Sequence, residues 1–118
     1  MSIVQKNEFG EIIIADQVIA NIAGRAALES YGLVGMASRK IQDGIGELLG
    51  LDSLGKGIEV HSKDGELIID VYVIVSYGTK ISQIAKNVME QIHYSVEQMT
   101  GKTVSKVNVV VQGVRVIG

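Results

Sequence analysis

Asp64-Gly65 lies between two runs of alternating apolar and polar residues, and this dipeptide constrains the fold more tightly than any other. Asp-Gly suits a two-residue type I′ hairpin turn, in which both central residues need positive φ. Such a turn sets Ile58 opposite Val71, Val60 opposite Ile69 and Ser62 opposite Leu67. A three-residue loop would set Val60 opposite Ile68 and Ile58 opposite Asp70. Only the first register pairs apolar with apolar along one face, and a one-residue slip would turn every side chain over. The second strand then presents Leu67, Ile69, Val71, Val73, Val75 and Tyr77 to a core. Glu66, Ile68, Asp70, Tyr72, Ile74 and Ser76 point the other way.

Around this hairpin, residues 9–14 predict a short strand ending near Asp16, which suits a helix N-cap. Val18, Ile19, Ile22, Ala23 and Ala26 recur at helical spacing, with Gly32 as a stop. Residues 33–38 read as a weak strand. After Gly78, Thr79 is placed to cap a long amphipathic helix. Its stripe is Ile81, Ile84, Ala85, Val88, Ile92, Val96 and Met99, and Gly101 closes it. Val107, Val109 and Val111 share one face of a last strand. Gly113 breaks that alternation before Val114 and Val116, which marks a β-bulge. The order β-α-β-β-β-α-β predicts an α/β fold in two layers, an α+β sandwich: a mixed sheet with two main helices packed on one face. One domain spans residues 1–118, carrying a Gly-rich mobile segment at about 39–57.

Composition narrows the function classes. The 118 residues include 16 Val and 16 Ile but no Pro, Cys or Trp, and stiff β-branched side chains favour a pleated sheet. Without Cys there is no disulfide framework, thiol nucleophile or thiolate zinc site. The N-terminus lacks a basic flank followed by an apolar run, and Val71-Tyr72-Val73-Ile74-Val75 is too short to span a bilayer. A net charge of −2 with mixed signs argues against nucleic-acid binding. Gly32-Leu33-Val34-Gly35 matches G-x-x-G formally, but its middle is apolar and no basic patch accompanies it.

Few polar groups are available for chemistry. His61 and His93 stand outside any H-x-x-x-H or H-x-E spacing, so neither a metal site nor a cofactor is expected. Gly44-Ile45-Gly46-Glu47-Leu48-Leu49-Gly50 follows a polar stretch and lacks the Lys-Ser/Thr end of a phosphate loop. Glu59 and Asp70 face each other on the outer side of the hairpin, and paired carboxylates can do acid–base work. A neighbour such as Lys106 would relieve them, and no second catalytic element accompanies them. No catalytic residue is therefore assigned. Two features point instead to an interaction role. Ile68, Tyr72 and Ile74 make the outer strand face too apolar for plain solvent. Ile41, Ile45, Leu48 and Leu49 recur at i, i+4, i+7 and i+8 among glycines, as in a docking flap.

Several motifs together carry a family resemblance. They are Gly10-Glu11-Ile12, Asp16-x-Val18-Ile19, Ile22-Ala23-Gly24-Arg25-Ala26-Ala27 and Tyr31-Gly32-Leu33-Val34-Gly35-Met36-Ala37, then Asp70 through Gly78, Met99-Thr100-Gly101 and Val107-Asn108-Val109-x-Val111-Gln112-Gly113-Val114. In this order they resemble the alkaline-shock protein family, also called the envelope stress response family, over about residues 9–116. The similarity is greatest to its short members in Gram-positive bacteria. The resemblance implies a non-enzymatic cytoplasmic protein that self-associates, docks to a membrane-anchored partner, or assists a lipid- or fatty-acid-metabolic enzyme. It implies contact with the membrane only indirectly, through a partner at its inner face. It carries no catalytic motif, so no residue inherits a role.

Overall fold

The computed structural model describes residues 2–37 and 55–116. An N-terminal antiparallel ribbon joins β1 (Ser2–Asn7) to β2 (Gly10–Ala15). It leads directly into α1 (Asp16–Leu28), then β3 (Leu33–Met36). The hairpin of β4 (Ile58–Lys63) and β5 (Glu66–Ser76) follows, then α2 (Ile81–Thr100) and β6 (Val104–Arg115). Asp64 at φ 53° and Gly65 at φ 80° make the expected turn. The pairs Ile58–Val71, Val60–Ile69 and Ser62–Leu67 form as the alternation requires.

β5 organises the main sheet. Along one of its edges run β4 and then β3, both antiparallel to it, while β6 lies parallel on the other. The sheet is therefore mixed. Ala37 donates its backbone N–H to Tyr72 O at 2.9 Å, and Ile58 pairs with Val71. The chain thus leaves and re-enters this edge beside consecutive β5 residues. The β5-α2-β6 crossover lays α2 across the sheet next to α1. Between helices and sheet lie Ile19, Ala23, Ala27, Ile84, Val88, Ile92 and Val96 against Leu67, Ile69, Val71, Val73 and Val75, all nearly or fully buried. Alanines at 20, 23, 26 and 27 keep α1 thin enough to pack closely.

Five expectations change. A strand, β1, precedes the first one read from sequence. Its alternation is half polar, and it is held by pairing with β2 and by the Gln5 Nε2–H bond to Thr100 O. The α1 N-cap is Ala15, so Asp16 is the first helical residue and acts on the helix dipole rather than as a cap. That helix ends at Leu28, and Gly32 instead serves the turn into β3 at φ 89°. Lys80, not Thr79, is the α2 N-cap, since Thr79 Oγ1 donates to Ser76 O. Tyr77 lies past the end of β5 and is 72% exposed rather than core. The bulge near Gly113 is present: β6 steps from Val111 to Gly113 while β5 advances one residue, from Val73 to Ile74. Gln112 is the extra residue, which returns Val114 to the side of Val75.

Candidate functional site

Both helices occupy one face of the main sheet, which sets apart the opposite, outer face. There the register lines up Glu59, Asp70 and Asn108 in one row across β4, β5 and β6. The next row toward the turn is His61, Ile68 and Lys106. On the other side of the acidic row come Tyr72 beside Val110, then Ile74 beside Gly113. The face is thus divided into a polar end near the hairpin and an apolar end.

At the apolar end, Tyr72 is half-buried and Val110 is 39% exposed, and Ile68, in the row of His61 and Lys106, is also half-buried. Ile74 is only 1% exposed, although it points away from the interhelical core and is not part of that core cluster. Of the three outward apolar residues read from sequence, Ile68 and Tyr72 therefore present surface and Ile74 does not. Ile41, Ile45, Leu48 and Leu49 lie outside the described residues.

The polar end is more sharply built. His61 Nε2 stands 2.9 Å from Glu59 Oε1 and 3.2 Å from Asp70 Oδ2. Asn108 Nδ2 donates to the second carboxylate oxygen, Asp70 Oδ1, at 2.8 Å. Two carboxylates directly opposite on antiparallel strands repel. Here they share one imidazole nitrogen between them, and β6 supplies an amide that fixes the rotation of one. His61 contacts both carboxylates and Asn108 binds Asp70, while Lys106 is in register with Ile68 in the adjacent row. Among the described residues, Glu59, His61 and Asp70 form one group whose ligand atoms all lie within 4.8 Å of one another. All three are legible in the sequence as neighbours on the outer face of the hairpin. The signal that joins them is Glu59-x-His61, which puts both on one strand face, combined with the hairpin register.

His93 belongs elsewhere. Its Nε2 lies 3.4 Å from Glu97 Oε2, one helical turn along α2, and that oxygen also accepts the Val104 N–H at 2.9 Å. Glu97 thereby ties the start of β6 to the end of the helix. An open groove between the helices is lined by Glu29, Asn87, Glu90 and Gln91 with Tyr31 and Tyr94, and it shares no residue with the outer face.

A two-layer α+β domain with helices on one face and a divided outer face is the architecture these elements define. Its overall arrangement is similar to two structures of MamM CTD, one of them a copper form, each at TM-score 0.50 and 12% identity over 88% of this chain and 100% of that one. At that identity the likeness concerns the fold alone. The chain belongs to the alkaline shock protein 23 family, described by a cell envelope-related function, which it matches over residues 4–116. It is 47% identical to YloU of Bacillus subtilis over 117 residues, covering 98% of each chain. Identity to Spy1614 of Streptococcus pyogenes is 42% over 110 residues, 92% of this chain and 91% of that one. YqhY of Bacillus subtilis is 32% identical over 111 residues, 94% of this chain and 82% of its own. None of these three relatives is named for an enzymatic activity. Among the described residues, no helix is long and apolar enough to cross a membrane.

Proposed function

We propose that the chain is a non-enzymatic protein-interaction domain of its envelope-related family, acting through the apolar end of the outer sheet face. The observation that carries this reading is Tyr72 beside Val110, which present apolar surface on the side away from both helices, with half-buried Ile68 on the same face of β5 beyond the acidic row. Tyr at the centre of such a patch suits a contact anchor, because it offers large area at low entropic cost. Self-association is the first role of this face. Docking to a membrane-anchored partner is the second, with the domain cytoplasmic and reaching the membrane only through that partner. The family's description supports the envelope context. The reading as an accessory of a lipid-metabolic enzyme rests on residues 39–57, most of them outside the described residues, so it draws no support from the fold.

Replacing Tyr72 and Ile68 with Lys tests the reading, with Ile74 left intact because it is buried. Light scattering and pull-down against the untreated chain are the measurements, with far-UV circular dichroism confirming the fold. Loss of assembly or of a captured partner is expected. A folded double variant that assembles and captures as before overturns the role of this face.

A further inference from the structure

We propose that Glu59, His61 and Asp70 form a binding site for a divalent first-row transition-metal cation of the class of Zn2+. This goes beyond the interaction role and does not depend on it. One imidazole nitrogen and two carboxylate oxygens are the donor set, contributed by adjacent strands of one sheet. Ligand atoms bound at about 2.0–2.2 Å to one cation stand roughly 3.0–3.5 Å apart when they subtend angles near octahedral or tetrahedral. His61 Nε2 meets its two carboxylate neighbours at 2.9 and 3.2 Å, close to that spacing.

Two further observations favour a cation here. The facing carboxylates Glu59 and Asp70 repel as a cross-strand pair, and a divalent charge between them turns that cost into attraction. The Asn108 amide holds Asp70 Oδ1, leaving Oδ2 aimed at His61, which is the outer support that metal-bound carboxylates usually receive. The mixed nitrogen and oxygen donors suit Zn2+, Ni2+ or Cu2+. Mg2+ and Ca2+ favour more oxygen ligands than this group supplies. With three protein ligands on a partly exposed face, at least one coordination position opens to solvent.

The test titrates tag-free, chelator-stripped full-length protein with Zn2+ and, separately, Mg2+, by calorimetry and by NMR of the two imidazoles. The expected result is one Zn2+ per chain, no Mg2+ uptake, and movement of the His61 ring signals while those of His93 stay in place. His61→Gln should weaken Zn2+ at least tenfold. Asn108→Ala, which leaves all three ligands, should weaken it by about tenfold. Circular dichroism on each variant separates lost affinity from lost fold, and the His61 signals in the unaltered chain give a readout that needs no variant. The proposal is overturned by absent uptake. Uptake that survives His61→Gln, or that moves only the His93 signals, also overturns it.

Discussion

A Cβ on Gly32 would stand 2.6 Å from Cδ1 of Ile84 and 2.8 Å from its Cγ1, so the turn after α1 presses directly on the first turns of α2. Gly32 also holds φ 89°, where an L side chain is strained. Gly32→Ala therefore meets two penalties at one atom and should lose roughly 1–3 kcal/mol. Urea unfolding at constant m measures it. In the Ile84→Ala background the steric part has no partner, so the two substitutions should combine to less than their sum. Full additivity would place the whole loss in the backbone.

The α2 stripe divides sharply between buried and exposed positions. Ile92 is fully buried against the sheet, and Ile92→Ala should cost about 2–5 kcal/mol through lost contacts and the cavity left behind. Tyr77, placed on the core side by the β5 alternation but 72% exposed, should tolerate Ser within about 0.5 kcal/mol. Denaturant midpoints for the pair check whether the core ends where β5 ends.

Glu97 Oε2 accepts the first N–H of β6 and lies beside His93. Glu97→Ala should destabilise by about 1 kcal/mol, less than a buried bond to a charged acceptor is worth, because the side chain is a third exposed. Faster amide exchange at Val104 should accompany it. Glu97→Gln keeps an acceptor oxygen and should lie between the two. If Val104 exchange is unchanged in Glu97→Ala, the side chain does not anchor the strand.

The N-terminal ribbon has its own weak point. Gln5 reaches Thr100 O at the end of α2, while Phe9 at the ribbon's tip is 91% exposed and Ile13 is 62% exposed. Among the described residues, Ile3 alone of β1 is buried in the core, with Ile14 of β2 packed against it, so the ribbon is more lightly held than β5 and is the segment to open first. Gln5→Ala should raise amide exchange across β1 and β2 and leave the β5 amides protected. A parallel loss in β5 would show that ribbon and sheet unfold together.

How far the sequence reaches depends on which interactions are local. The β4–β5 register is legible because Asp64-Gly65 admits one turn geometry and only one register makes both strands apolar on the same side. The α2 stripe is legible because Ile84, Val88, Ile92 and Val96 repeat at the helical period. β1 is not, since Gln5 and Lys6 interrupt any pattern and what holds it is non-local: the β2 pairing, the Gln5 bond to Thr100 O and the burial of Ile3. Three of the four members of the polar cluster follow from the hairpin alone: Glu59 and His61 share a strand face, and Asp70 lies across from Glu59. Asn108 arrives through a parallel pairing broken by bulges at Leu67/Ile68 and Val73/Ile74, and no spacing within β6 specifies that offset. Likewise the burial of Ile74 does not follow from its position on the face away from the helices.

The shared edge of β5 has a consequence for chain entropy. Ala37 and Ile58 reach the sheet beside Tyr72 and Val71, two consecutive residues, so the two points of attachment stand side by side on one edge. The entropy of closing a loop rises only slowly with its length. Attachment points that already stand side by side ask little closure entropy of whatever length of chain joins them. The edge has the geometry of a socket: the framework on either side of it is fixed by β5 alone.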